Sequence, residues 1–414
     1  MVLAPFAARS TMRKLQAQGV TAERSCEKLG HATQPRPSAG PLVWLHAASV
    51  GESLSVLALI TRMGQILPTA HFLITSGTAT SAKLVAQRLP PRTVHQFAPL
   101  DAPRPVKRFL NHWQPDAAIF VESELWPQML RRTHATGARM ALVNARMSEK
   151  TVAFWAEWPQ AARYIFDVFA LILTQNDAMA QNMIRMNAPA ERVARGVNLK
   201  SMSGPLPVDA SALQEVRTTL ADRPIWVASS THEGEESAVL SAHRQLLKRF
   251  PGLCLILAPR HPERGDIVEQ LIASDGLSYR RRSRGEAPGG QVYLADTMGE
   301  LGLWYEMAEI VFLGGSLLPI GGHNPFEVAQ AGAAVLTGNH VAAFAETYAL
   351  LETEGAARII ADGDDLAARV AVLLTDPDEL AAMTSAAQRF TATQDDQLDA
   401  IATRLITALE LDRA

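Results

Sequence analysis

In Leu42-Val43-Trp44-Leu45-His46-Ala47-Ala48-Ser49-Val50-Gly51-Glu52, the stretch from Leu42 to Ala47 is an almost unbroken apolar run. That is the pattern of a strand covered on both faces. Gly51 permits a tight turn at its end, and a helix begins there. The same order recurs along the chain. Strands are expected at residues 42–47, 71–75, 117–121, 139–144 and 171–175, and again at 225–229, 254–258, 291–294, 310–314 and 334–336, each flanked by helical spacing. Two such series predict two doubly wound α/β domains with parallel sheets. The turn-rich Ser203-Gly204-Pro205-Leu206-Pro207 breaks both patterns and marks the boundary. The expected division is a basic segment at 1–40, a Rossmann-like domain at 41–202, a second at 203–394 and a terminal helix at 395–414 that packs back on the first domain.

In open parallel sheets, ligands bind beyond the carboxyl ends of the strands, so the residues there are the candidates for chemistry. Glu52 falls in a first helical turn, where the macrodipole favours a negative charge; it is either a stabilising end residue or a general base held ionised. Glu122-Ser123-Glu124-Leu125-Trp126-Pro127 puts two carboxylates at another strand end, suited to orienting hydroxyls, binding a metal or capping a helix. In the second half, Ser230-Thr231-His232-Glu233-Gly234-Glu235-Glu236 offers hydroxyls and free N–H groups to an anion. Pro259-Arg260-His261-Pro262-Glu263-Arg264 offers the planar fork that arginine presents to phosphate. In Gly314-Gly315-Ser316 and Gly321-Gly322-His323-Asn324-Pro325-Phe326-Glu327, glycines let a ligand approach the backbone. Asn324 reads there as an N-cap, Pro325 as the first helical residue and Glu327 as the third. The acidic clusters at 362–365 and 376–379 precede apolar helix patterns and read as caps. Arg280-Arg281-Arg282 reads as solvated surface.

Composition sets limits. Of 414 residues 48% are hydrophobic and 20% charged, which suits a soluble globular protein. A net charge of -3 gives no global field for nucleic acid. Cys26 and Cys254 form no metal-type spacing and point to a reducing compartment, with Cys254 a small core residue. No run is long and apolar enough to span a bilayer, which takes roughly 20 residues. Arg9, Arg13, Lys14, Arg24, Lys28 and Arg36 outnumber Glu23 and Glu27 near the amino end. Such a tail is either solvated or leans on an anionic membrane.

Taken together, Leu45 through Glu52, Glu122 through Pro127, Asn144-Ala145-Arg146-Met147-Ser148, Ser229 through Glu236, Pro259 through Arg264 and Gly314 through Glu327 resemble the 3-deoxy-D-manno-octulosonic acid (Kdo) transferases of Gram-negative bacteria. The six ordered blocks cover nearly all of the chain from about residue 40. The resemblance implies a GT-B fold, two Rossmann-like domains facing a cleft, with the donor nucleotide held by the second. It implies CMP-Kdo as donor and a lipid A precursor, lipid IVA, as acceptor in lipopolysaccharide biosynthesis. It implies Glu52 as catalytic base, and Ser230, Thr231, Arg260, His261, Gly315, Ser316, Asn324 and Glu327 on the donor, with Ser316 on phosphate and Glu327 on ribose. Glu122, Glu124 and Arg146 fall on the acceptor side. One base and one displacement imply inversion, with neither metal nor cofactor.

Two departures from the family pattern stand out. Its usual membrane anchor of one apolar helix is missing: either the start is misassigned, or this member attaches peripherally to the anionic cytoplasmic face of the inner membrane. Gly196-Val197-Asn198-Leu199-Lys200-Ser201-Met202-Ser203 lacks the family's aromatic–acid pair, which leaves room for a changed donor or acceptor. Another nucleotide-sugar donor and a catalytically silent lipid A-binding paralogue remain the alternatives.

Overall fold

All ten expected strands form in the computed structural model, which describes residues 4–196, 198–199, 206–221 and 223–413. They fall into two compact units: Met1–Ser203 with Asp395–Ala414, and Gly204–Gln394. The departures at Val197 and Lys200–Ser203, and the Ser203–Pro205 part of the boundary turn, lie outside the described residues.

The first unit holds β1 (Leu42–His46), β2 (His71–Ser76), β3 (Thr93–Phe97), β4 (Ala117–Val121), β5 (Arg139–Ala145), β6 (Leu171–Thr174) and β7 (Val193–Arg195). These form one all-parallel sheet in the order β3-β2-β1-β4-β5-β6-β7. The two-residue period of β1 sends Val43 and Leu45 into one apolar layer and Leu42 and Trp44 into the other. The first layer is closed by Leu398, Ile401, Ala402, Leu405 and Ile406, from the end of the long helix Pro377–Ala408. An Arg62–Asp399 ion pair fastens that helix end to helix Leu57–Ile66.

The second unit holds β8 (Ile225–Thr231), β9 (Cys254–Pro259), β10 (Tyr279–Arg281), β11 (Val292–Leu294), β12 (Ile310–Leu313), β13 (Ala334–Thr337) and β14 (Ala357–Ile359), ordered β10-β11-β9-β8-β12-β13-β14. Cys254 lies in its core, its thiol pushed up to about 11 by burial. Chain order reverses between β1 and β4 in one sheet and between β8 and β12 in the other. At such switch points the loops part and leave a crevice for ligands.

Two charge readings are corrected. Residues 4–40 are not a separate tail but part of the first unit. The buried Glu27 carboxylate accepts the backbone N–H of Phe97 on edge strand β3 at 2.7 Å, and it also takes the Thr33 hydroxyl and the Arg24 guanidinium. Arg24 further donates to Nδ1 of His95 at 2.8 Å, which burial and the neighbouring cations hold neutral, with a pKa near 3. Lys28 is buried, its pKa lowered to about 8 by burial, and Arg36 donates to the Trp113 carbonyl at 2.8 Å. Three of the six basic residues thus serve the fold, and Arg9, Arg13 and Lys14 remain exposed on helix Ala4–Ala17. Likewise Arg281 is not solvated. It is buried and paired with Asp296 at 2.6 Å and Glu269 at 2.7 Å, while Arg282 pairs with Glu300 at 2.7 Å. Counting charges along a sequence does not reveal which find partners.

Glu27→Ala leaves the Phe97 N–H buried and unpaired, so it should lower unfolding stability by about 1–3 kcal/mol, the cost of an unsatisfied buried group. Urea denaturation checks this, and a shift of less than a few tenths would mean the amino segment does not anchor β3.

Candidate functional site

The carboxyl end of β1 leads to helix Val50–Ser55, with Ser49 as N-cap. Glu52 turns back over this cap. Its Oε2 accepts the Ala48 N–H at 2.9 Å and its Oε1 the Ser49 hydroxyl at 2.7 Å. The side chain is buried, and burial pushes its pKa above the usual carboxylate range, helped by the charges of Glu124 and Glu122 and opposed by the Ser49 and Ala48 bonds. The switch point thus brings Glu52, Glu122 and Glu124 together.

Burial alone would raise Glu124 too, yet hydrogen bonds from His46 and Trp126 hold it below the usual range. His46 itself is packed against Trp44 and Phe120, its Nδ1 3.0 Å from the Thr75 hydroxyl and its Nε2 3.4 Å from Glu124. Glu122 adopts a φ of 55°, as does Asn144, whose amide donates to Glu122 at 3.3 Å. Left-handed backbone on non-glycine residues is stored strain that the surroundings must hold. Arg146 is exposed, one residue past β5. Sequence reasoning passed over His46 and Asn144, although both lie in the quoted blocks.

In the second unit the candidates gather after β8, β9 and β12. Ser230 sits at a bulge where β8 slips against β9, with a φ of 53°. The Thr231 carbonyl accepts the Arg260 N–H at 2.9 Å, and its buried hydroxyl finds no partner among the described residues. Arg260 and His261 are exposed. Asn324 accepts the Phe326 N–H at 3.2 Å, and helix Phe326–Gln330 starts one residue later than expected, with Glu327 still in its first turn. The charge of Glu327 reaches the buried Tyr305 hydroxyl, which lies 3.0 Å from Ser229.

Gly315 and Ser316 are expected on the donor, with Ser316 on phosphate, and the structure engages both within the protein. Their N–H groups already hold an anion, the buried carboxylate of Glu235. Glu235 accepts from Gly315 at 2.7 Å, Ser316 and Leu317 at 2.9 Å each, and His232 at 3.0 Å. The Ser316 hydroxyl donates to the Leu313 carbonyl at 2.7 Å and accepts from Gly338 at 2.9 Å. Two of the glycines admit close protein neighbours: a Cβ on Gly314 would lie 2.7 Å from the Thr231 Cα, and one on Gly315 2.9 Å from the His323 ring. Glu235 itself was legible only as a first-turn acid.

Three histidines that converge here were not all read as a site. Nε2 of His232 and Nε2 of His323 are 2.9 Å apart in near-parallel rings, and the His261 ring lies 5.6 Å from that of His232. Arg264 pairs with the buried Glu236 at 2.6 Å behind them. Among the described residues, no group of three or more His, Cys, Asp or Glu side chains is placed to hold a metal ion. The acidic clusters are caps: Asp362 accepts from Asp364 and Asp365, and Asp376 from Asp378 and Glu379. Cavities of about 390 and 530 Å³ lie at the amino ends of β8 and β12 and of β5 and β6, away from these residues.

Residues 23–203 match the family model described as 3-deoxy-D-manno-octulosonic-acid transferase (kdotransferase). The chain is 33% identical to the 3-deoxy-D-manno-octulosonic acid transferase of Haemophilus influenzae, over 83% of this chain and 81% of that protein. It is 34% identical to a probable mitochondrial 3-deoxy-D-manno-octulosonic acid transferase of Arabidopsis thaliana, over 77% and 73% respectively. A glycosyltransferase structure from Rickettsia africae shares the GT-B fold, with a TM-score of 0.56 at 12% identity over 89% of this chain and 99% of that one.

Glu235→Ala should strand four donors, of which the buried Gly315 and Ser316 N–H groups cost about 1–3 kcal/mol each if left unpaired. We expect a large loss of stability in chemical denaturation; a near-neutral effect would show that the Gly315–Leu317 N–H groups find other acceptors.

Proposed function

This chain belongs to the 3-deoxy-D-manno-octulosonic acid transferase family, and on that premise we propose that it moves Kdo from CMP-Kdo to lipid IVA, with inversion at the transferred carbon. The observation that carries the reading is the state of Glu52. A carboxylate has about four lone-pair sites. Two on Glu52 are used, by Ala48 and Ser49, and no cation pairs with it among the described residues. Glu235 has four N–H partners and is saturated. Glu52 therefore keeps capacity for a proton, and its raised pKa makes it a better base than an ordinary glutamate.

In the proposed step, the acceptor hydroxyl gives its proton to Glu52 as its oxygen bonds to the anomeric carbon of Kdo. The bond from that carbon to the CMP phosphate breaks, and its electron pair leaves with the phosphate. Arg260 and His261 stabilise that charge. Glu122, Glu124 and Arg146 orient the acceptor.

The acceptor's acyl chains lie in a membrane, and we place the enzyme peripherally on the cytoplasmic face of the inner membrane. Two features of the first unit support attachment. Arg9, Arg13 and Lys14 are exposed on the first helix, and Phe154, Trp158 and Tyr164 are more than half exposed. Aromatic rings with one apolar and one wet side suit a lipid interface. No helix among the described residues is long and apolar enough to cross a membrane.

Incubation with CMP-Kdo and lipid IVA, read by mass spectrometry of the lipid, tests the reading. Glu52→Gln should slow transfer by roughly 10²–10⁴-fold, the worth of a general base. A rate within a few-fold of wild type would reassign the base. The wild-type rate should climb with pH through a value above the ordinary glutamate ~4.3, a limb the variant lacks. Stability should not fall in the variant. The fold binds the Glu52 proton more tightly than the unfolded chain does. Its contribution is therefore lost as pH rises through the window above the ordinary value, and glutamine, which does not ionise, removes that loss.

Sedimentation with anionic vesicles should show binding that weakens between about 0.1 M and about 1 M salt, as the screening length falls from ~10 Å to ~3 Å. Binding unchanged across that range would exclude the basic helix as an anchor.

A further inference from the structure

The loops after β8, β9 and β12 place two imidazoles nitrogen to nitrogen. His232 and His323 stand with Nε2 atoms 2.9 Å apart, rings within 7° of parallel. A contact of that length needs one proton between two lone pairs, so one ring donates and the other accepts. Adding a proton to the donating ring at its far nitrogen leaves this bond in place and makes it charge-assisted, hence stronger. The pair can gain a positive charge without moving.

Glu235 lies behind His232, its carboxylate already committed to four N–H groups. Arg260 and His261 face both rings from the loop after β9, and Arg264 faces His232 from the same loop. The Tyr348 hydroxyl donates to the His323 carbonyl at 2.9 Å and adds no charge. Burial first, and with it these neighbouring groups, hold both imidazoles below the ordinary range against the raising charge of Glu235, His323 at about 4. An anion docked against Arg260 offsets the lowering by Arg260.

Building on the donor-site reading above, we propose that His232 and His323 form a proton-sharing pair within the donor-phosphate site, taking up one proton from solvent when a phosphodiester anion docks beside Arg260. The pair adds a positive charge only while the anion is present. Without ligand, the site does not hold a further buried cation unpaired. Two interacting rings titrate as one unit, so at most one proton is gained.

The test is calorimetry with the 5′-phosphate methyl ester of cytidine, whose phosphodiester does not titrate, unlike a monoester with its second pKa near ~6. Measurement in two buffers of different ionisation heat counts protons. At about pH 5.5, below the ordinary imidazole value of ~6.5, wild type should take up close to one proton per ligand, falling toward none near ~8. H323Q keeps a hydrogen-bonding side chain that does not titrate; it should bind more weakly with uptake abolished. H261Q should bind more weakly but keep the uptake counted per ligand bound.

Binding without uptake in wild type overturns the pair and leaves the donor site standing, as does uptake that survives in H323Q or disappears in H261Q. No binding at either pH overturns both readings. Ring C–H resonances of folded wild type, titrated with and without the ester, check the result free of any mutation. The His232 and His323 signals should shift upward in pH together on ligation, and separate, ligand-insensitive titrations would refute the pair.

Discussion

Four backbone N–H groups converge on the carboxylate of Glu235, and the ligand end of the second sheet depends on that convergence. A buried carboxylate is unfavourable unless every acceptor site is answered. Here each oxygen takes two donors, from the turn after β8 and the loop after β12. The same bonds fix the path of residues 315–317, which presses Gly315 against His323 and hands the Ser316 hydroxyl to Gly338 on the far side of β13. Without the carboxylate the loop after β12 would have three donors to satisfy and no reason to follow this path. The anion-friendly loop that the sequence offers to a ligand is filled by the protein itself. On the proposed reading, the ligand is left to Arg260 and the histidines beside it.

The first sheet uses a related device to a different end. In both units a Gly-Glu pair opens the helix after the first strand at the switch point, Gly51-Glu52 after β1 and Gly234-Glu235 after β8. Both glutamates are buried, and both reach back to an N–H of the preceding turn. They differ in saturation. Glu235 has no acceptor capacity left, and Glu52 has half of it. Environment, not residue type, separates a structural carboxylate from one able to hold a proton.

Much of the fold was legible because its central strands are buried on both faces and read as apolar runs. The four strands that went unread, β3, β7, β10 and β14, are the four sheet edges. Thr93-Val94-His95-Gln96-Phe97 and Tyr279-Arg280-Arg281 carry polar and charged residues because an edge strand has only one strand neighbour, and their order comes from partners such as Glu27 and Asp296 far along the chain. The site was legible as blocks and not as geometry. Position after a strand pointed to Glu52 and Arg260. The roles of Glu235, His232 and His323 rest on contacts between the loops after β8 and β12, about ninety residues apart in sequence, and no local pattern encodes them.

Synthesis runs from the amino end, and domains commonly fold as they leave the ribosome. Residues 1–203 emerge before the second unit, yet one apolar layer of their sheet is closed by Leu398 through Ile406 of the helix Pro377–Ala408, made after that unit's sheet. The earlier unit is therefore completed only after the later one. Through most of translation Val43, Leu45, Phe72 and Ile74 lack the helix that covers them in the finished chain. A nascent chain in that state is a natural substrate for chaperones, and a premature stop anywhere before the final helix leaves both a truncated second unit and an unfinished first one.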